Sequence, residues 1–264
     1  MALEAVTSRL EFARTIASEA GKLTLEHFNK PDLAIELKTD ATPVTIADRQ
    51  AEQLLRKRIA AQFPDDAILG EEFGEQSGTS GFRWILDPID GTKSFIHGVP
   101  LYGTLIGIEQ DGECQAGVIH IPALGEMLHA AVGQGAWHQR GGAKPIRAQV
   151  SQRTSLAESL FCTSEVATFY QMGSEETYLR LQSASQLART WGDCFGYMLV
   201  ATGRAELMVD PQMSVWDAAA LKPIVEEAGG TFTDWQGKPT IYSGEGLATN
   251  GRILEEVLAV TRKR

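Results

Sequence analysis

The run Trp84-Ile85-Leu86-Asp87-Pro88-Ile89-Asp90-Gly91-Thr92-Lys93-Ser94-Phe95 constrains this chain more than any other stretch. Its first residues are apolar and read as a buried strand. Pro88 then interrupts it, because proline has no N–H to offer a neighbouring strand. Regular sheet therefore cannot run on through Asp87-Pro88-Ile89-Asp90. The resulting turn can aim two carboxylates at one point, while Gly91 and Thr92 expose backbone N–H groups beside them. Oxygen-rich clusters of this kind suit hard divalent cations, and Mg²⁺ favours a few carboxylates together with substrate phosphate. Asp-Gly is also ordinary turn chemistry, so this stretch alone leaves a metal site and a surface turn equally open.

Further acidic residues fall in comparable settings. Ile68-Leu69-Gly70-Glu71-Glu72-Phe73-Gly74 is a second apolar run ending in carboxylates. Read as structure alone, Glu71 and Glu72 belong to a solvated loop ahead of the flexible segment 75–81. Ser214-Val215-Trp216-Asp217-Ala218-Ala219-Ala220 places Asp217 where a small-residue helix begins, a position the helix dipole favours in any case. Thr45-Ile46-Ala47-Asp48 reads equally well as a capping-box variant.

Taken together and in order, these residues resemble the inositol monophosphatase-like superfamily of Mg²⁺-dependent phosphatases. The matching positions are Lys38 and Asp48, Gly70-Glu71-Glu72, Asp87-Pro88-Ile89-Asp90-Gly91-Thr92, Trp216-Asp217-Ala218-Ala219 and Glu226-Glu227-Ala228-Gly229-Gly230. The resemblance covers nearly the whole chain. It implies that Glu71, Asp87, Asp90 and Asp217 are metal ligands, with the Ile89 carbonyl as a further oxygen; a two-metal centre naturally shares one carboxylate, and Asp87 is the candidate for it. It also implies that Asp48 and Thr92 orient the attacking water, with Glu72 and Lys38 in support. Two or three Mg²⁺ ions per subunit are expected. Phosphate monoesters are very inert in water, and two metal ions about 4 Å apart can activate a nucleophile and neutralise the leaving alkoxide. Direct attack by water then needs no Cys or Ser nucleophile. The N–H groups of Gly91 and Thr92, at a helix start, would hold phosphate oxygens, and Lys93 could meet the phosphate as a point charge. A solvated Lys93 fits as well.

Other stretches bear on the substrate. Gly98-Val99-Pro100-Leu101-Tyr102-Gly103-Thr104 and Arg189-Thr190-Trp191-Gly192-Asp193-Cys194-Phe195-Gly196-Tyr197 resemble the histidinol-phosphate phosphatase branch of that superfamily. Inositol phosphatases usually carry a small or hydroxyl residue where Asp193 stands, and a sugar-binding Glu where Asp210 stands. Histidinol phosphate carries an ammonium and an imidazole that protonates near neutrality. Asp193 and Asp210 would favour such a cation through charge-assisted hydrogen bonds, with Arg189 as a further substrate contact. Asp193 is also a reasonable N-cap for the helix that follows. Inositol monophosphate and a 3′-phosphonucleotide are the alternative substrates, and a non-catalytic binding module is the alternative class.

Length and composition fit this reading. The 264 residues suffice for a substantial core, arranged as one phosphatase fold with a soft boundary near residue 147: an N-terminal half, 1–147, with most of the metal ligands, and a C-terminal half, 148–264, with the substrate pocket and Asp217. A net charge of −10 argues against a nucleic-acid binder, and bound Mg²⁺ would invert the local charge balance at a phosphate site. Cys114, Cys162 and Cys194 form no C-x-x-C and leave one over after any pairing, which points to reduced thiols and a cytoplasmic protein. No signal peptide or membrane span is read; a plastid location stays open should a transit segment have been trimmed.

The periodicity predicts a long first helix through Leu3, Val6, Leu10, Ala13, Ile16, Ala20 and Leu23, then a short strand at 33–38 carrying Lys38. A second helix follows over 45–61. Hairpins are expected around Gln110-Asp111-Gly112 and between Ala131 and Gly135. The second half alternates strands with helices at 175–184, 193–203, 217–228 and 253–261. Interleaving of this kind argues for an α/β layered fold, and the resemblance specifies an α-β-α-β-α sandwich of the inositol monophosphatase / fructose-1,6-bisphosphatase type that assembles as a homodimer.

Overall fold

A computed structural model describes residues 2–31, 33–38 and 42–262. In chain order the first half runs α1 (Ala2–His27), β1 (Ile35–Leu37), β2 (Pro43–Thr45), α2 (Ile46–Gln62), β3 (Ala67–Gly70), β4 (Gly74–Gln76), β5 (Phe82–Asp90), α3 (Thr92–Ile96), β6 (Gly103–Gln110), β7 (Glu113–Ile121), β8 (Glu126–Ala131), β9 (Gly135–Arg140) and β10 (Ile146–Arg147). The second half runs β11 (Leu160–Cys162), α4 (Val166–Gln171), α5 (Glu175–Ala184), β12 (Leu187–Arg189), α6 (Asp193–Ala201), β13 (Leu207–Asp210), α7 (Val215–Ala218), α8 (Leu221–Glu227), β14 (Thr231–Thr233), β15 (Gly246–Thr249) and α9 (Leu254–Thr261).

Two main sheets organise these elements. The larger has the order β10-β9-β8-β7-β6-β5-β3-β4, antiparallel except for the β3–β5 pair; the smaller has the order β12-β11-β13-β15-β14. Side-chain alternation along β5 explains why the larger sheet is covered twice. Trp84 and Leu86 join Val6, Leu10, Ala13, Ile16, Leu55 and Ile59 of α1 and α2 on one face. Ile85 points the other way, into a core shared with α6, α8 and the inner face of the smaller sheet at Met208, Phe232 and Ala248. The smaller sheet's outer face, with Phe161, Leu207 and Val209, meets Phe169, Leu181, Val257 and Leu258 of α4, α5 and α9. The sequence of layers is α-β-α-β-α, as the resemblance implied.

Several local expectations change. The strand at Trp84 does not stop at Asp87; it continues through a bulge, with Asp87 opposite Leu105 and Asp90 opposite Gly103. Two residues of β5 are left without ladder partners there, and Thr104 Oγ1 donates to the Pro88 carbonyl (2.9 Å). Segment 75–81 is anchored rather than loose: β4 pairs with β3, and Thr79 and Ser80 donate backbone N–H groups to the Asp65 carbonyl. The single helix expected over 217–228 is two, α7 and α8, broken at Ala219-Ala220. The Asp111-Gly112 hairpin forms as expected, with both residues at positive φ.

Candidate metal centre and pocket

Side-chain parity along β5 sends Asp87 to the same face as Ile85, toward the middle helix layer. There the break between α7 and α8 meets the sheet almost backbone to backbone. A Cβ on Gly117 would stand 2.1 Å from the Ala220 carbonyl oxygen, and one on Gly107 2.6 Å from the Ala219 Cβ. Only glycines allow this approach, and it brings Asp217, the third residue of α7, beside Asp87 and Asp90. One oxygen from each of these three carboxylates lies within 4.8 Å of the others. Each is fixed by a backbone N–H: Ile89 N donates to Asp87 (3.0 Å), Cys194 N to Asp90, and Ser214 N to Asp217 (2.7 Å). The last bond is half of a Ser214/Asp217 capping box, so Asp217 caps its helix and also faces the cluster.

Crowding raises the proton affinity of these groups. Burial, with the neighbouring charges of Glu71, Asp90 and Asp217, pushes the Asp87 carboxyl well above its usual range. Burial, with Asp193 and Asp217, does the same to Asp90. Asp217 is pushed up to about 7, chiefly by burial, against the opposing Ser214 N–H bond. Like charges this close and this dry need protons or a cation between them, and an all-oxygen set suits a hard divalent ion. The donor set therefore fits Mg²⁺. The Ile89 carbonyl accepts from Thr92 Oγ1 (3.1 Å) and keeps a second lone pair for a cation.

Glu71 and Glu72 approach from the β3–β4 turn, and Lys38 Nζ bridges both, at 2.7 and 2.5 Å. Burial opposes a charged Lys38, but the two carboxylates prevail and raise its pKa. Sequence reasoning missed the residue that shapes this turn. Glu52, fully buried in α2, accepts from Glu72 N (2.7 Å), Phe73 N (3.2 Å) and Arg56 Nε (2.7 Å). A Cβ at Gly70 would lie 2.1 Å from its Oε1, so the glycine before Glu71 makes room for it. The usable signal was the four-residue spacing of Asp48, Glu52 and Arg56 along one helix face.

Asp48 caps its helix and also faces Thr92. Its Oδ2 accepts from Thr45 N (2.8 Å) and Thr45 Oγ1 (2.6 Å) in a capping box at the start of α2. Its Oδ1 faces Thr92 Oγ1 at 3.4 Å. Burial, against the Thr45 bonds, pushes Asp48 up to about 6.

Glu71, Asp87, Ile89, Asp90, Thr92 and Asp217 line a cavity of about 400 Å³ that also holds Gly91, Lys93, Glu165 and Asp193. Lys93 is paired with Glu165 at 2.5 Å rather than solvated alone. Asp193 lies across from Gly91, where a Cβ would come within 2.8 Å of Asp193 Oδ2. It is not the helix cap; Gly192 takes that place, and Asp193 begins α6 at φ 51° with its N–H bound to Ser164 Oγ (2.8 Å). Non-glycine residues rarely adopt this backbone region outside turns and functional sites. Burial and the nearby Asp210 charge push Asp193 up to about 6.

Asp210 sits behind the main cavity, in a smaller one of about 100 Å³ shared with Asp193 and Tyr197. Thr163 Oγ1 (3.3 Å), Ser164 N (2.9 Å) and Tyr197 OH (3.1 Å) all donate to it. Its oxygens are thus engaged, and its effect on the main cavity runs through Asp193. Arg189 is not brought to the site: its guanidinium lies 5.9 Å from the Trp191 ring centroid and donates to the Ala188 carbonyl. Tyr102 packs in an aromatic cluster with Phe28 and Phe95.

A five-layer α/β fold with a carboxylate cluster at a bulged strand, beside an Asp–Thr pair, is the make-up of a phosphoric monoester hydrolase. The chain belongs to the inositol monophosphatase family, whose model matches residues 5–264. It is 48% identical to a histidinol-phosphatase of Chlorobaculum parvum over 92% of each chain. Identity to a histidinol-phosphatase of Mycobacterium tuberculosis is 40%, covering 94% of this chain and 96% of that one. A solved Thermotoga maritima IMPase superposes with a TM-score of 0.86 at 32% identity, covering 97% of both chains.

Proposed function

We propose that this protein is a Mg²⁺-dependent phosphatase that hydrolyses L-histidinol phosphate to L-histidinol and phosphate. Asp87, Asp90, Asp217, Glu71 and the Ile89 carbonyl would hold two or three Mg²⁺ ions. When bound, Mg²⁺ supplies Lewis-acid stabilisation of the transferring phosphoryl group and lowers the pKa of water. Asp48, poised to take a proton at about pH 6, accepts it from the attacking water directly or through Thr92. Thr92 is held in place by the Ile89 carbonyl. The N–H groups of Gly91 and Thr92, with Lys93, receive phosphate oxygens. Lys38 restrains Glu71 and Glu72. In this reading residues 1–147 supply most metal ligands, and residues 148–264 supply Asp217 and the substrate pocket.

The observation that carries the substrate assignment is Asp193. It places a half-buried carboxylate against the phosphate-facing turn, in the same cavity as the carboxylates proposed to hold the metal. A cationic alcohol portion gains there from a charge-assisted hydrogen bond, and a neutral polyol gains less. The relatives named as histidinol-phosphatases support the same choice. Homodimeric assembly and a cytoplasmic location complete the reading; all three cysteines are free and buried, and among the described residues no helix is long and apolar enough to cross a membrane.

The test is Mg²⁺-dependent phosphate release from L-histidinol phosphate beside inositol 1-phosphate, with and without EDTA. Preference for histidinol phosphate, abolished by EDTA, is the expected result. Faster turnover of inositol phosphate would keep the metal chemistry and discard the assignment to Asp193. D193N should weaken histidinol phosphate more than inositol phosphate; equal losses would remove the carboxylate argument.

A further inference from the structure

Lys93 and Glu165 face each other across the mouth of the cavity, from different halves of the chain. Lys93 lies in α3, two residues beyond Gly91, and Glu165 immediately precedes α4. Their side chains are 64% and 45% exposed. An ion pair this wet contributes little to stability, so each partner is free to exchange. Both residues line the cavity that holds Asp87, Asp90 and Asp193. Their charges also act in opposite directions on the half-buried Asp193 carboxylate, which Lys93 favours and Glu165 disfavours.

We propose that Lys93 and Glu165 form an exchange pair that selects phosphomonoesters carrying a positive charge on their alcohol portion. An arriving phosphate draws Lys93 away from Glu165. The carboxylate then stands unpaired at the mouth, and a substrate that brings its own cation restores the balance. A neutral polyol phosphate leaves Glu165 without a partner, and a second phosphate is repelled. Discrimination thus comes from the contact with the right substrate and from repulsion of a second phosphate. Glu165 is the outermost member of the carboxylate series that continues inward through Asp193 to Asp210. The inference rests on the phosphomonoesterase reading above and names the residues that set its preference.

The experiment compares kcat/KM for L-histidinol phosphate with that for inositol 1-phosphate in the wild-type protein, E165Q, E165D and D193N, all with saturating Mg²⁺. The ratio should fall about five-fold in E165Q, the scale of one exposed charge contact, mainly through KM for histidinol phosphate, and should recover in part in E165D. A purely structural role for Glu165 would lower both substrates together and leave the ratio unmoved. An E165Q ratio equal to wild type overturns the exchange pair; if D193N still lowers the ratio, the wider reading survives that loss. A wild-type protein that prefers inositol 1-phosphate overturns both.

Discussion

Replacing Glu52 by Gln removes one charge and almost no volume, from a residue with no exposed surface. The carboxylate serves three donors: Arg56 Nε and Phe73 N on Oε1, and Glu72 N on Oε2. A carboxamide has one acceptor oxygen. If that oxygen keeps Arg56 and Phe73, its NH₂ group confronts Glu72 N across a gap that is 2.7 Å in the native bond. One charge-assisted bond to a backbone N–H is lost and the Arg56 pairing is weakened, for a total cost of about 3 kcal/mol. For a chain of this size the melting temperature should fall by about 6–12 °C, readable by thermal denaturation in EDTA. The Glu72 N bond also sets the turn that presents Glu71, so the half-maximal Mg²⁺ concentration for phosphate release should rise, with kcat recovering at high Mg²⁺. A melting temperature and a Mg²⁺ midpoint both matching wild type would refute the claim that Glu52 shapes this turn.

Asp87→Asn should stay folded and lose Mg²⁺-dependent turnover by about a thousand-fold or more, the scale of a lost catalytic group; undiminished activity would sink the metal-centre assignment. The same variant relieves a buried like charge, so its melting temperature in EDTA should exceed wild type. Gly117→Ala forces a methyl group against a backbone oxygen and should cost about 1–3 kcal/mol or more. It should also weaken Mg²⁺ binding by shifting Asp217, and an unchanged Mg²⁺ titration would contradict that coupling. Asp217 and Asp48 titrate near 7 and 6 in the fold, above the usual carboxyl value of about 4. Their contribution to metal-free stability is therefore complete below about pH 4 and is lost as pH rises through 6 and 7. Mg²⁺ competes with those protons, so the rise in melting temperature on adding Mg²⁺ should grow from pH 5 to pH 8. A pH-independent rise would count against the raised pKa values.

The carboxylates proposed as metal ligands were legible because each sits at a break in regular structure: a bulge at Pro88, a turn after Gly70, a cap after Ser214. Such breaks need residues that propensity rules recognise. The layers were legible for a similar reason, since α1 and β5 carry clean helical and alternating patterns. The helix over 217–228 reads as continuous because three alanines in a row suit a helix interior, and Ala219 and Ala220 do keep helical backbone angles; nothing local shows that they meet Gly107 and Gly117, about a hundred residues earlier in the chain. Glu52 looked like one more charged helix residue, since its partners are backbone groups in another element. Arg189 looked suited to a substrate, yet its guanidinium lies by Trp191, outside the cavity.

The contact of Ala219 and Ala220 with Gly107 and Gly117 puts no rotatable side chain between the main chains just after α7. A joint made from larger side chains would let each rotamer shift the position of the carboxylate beyond it. Here the two main chains act as a hard stop, and how closely the backbone just beyond Asp217 approaches the sheet is set by atomic radii. A metal site of the kind proposed demands ligand positions accurate to a few tenths of an ångström, and this seam removes one source of slack beneath Asp217. Variation in the family should therefore concentrate around the mouth of the cavity, where Lys93, Glu165 and Asp193 can change the substrate and leave that gauge alone.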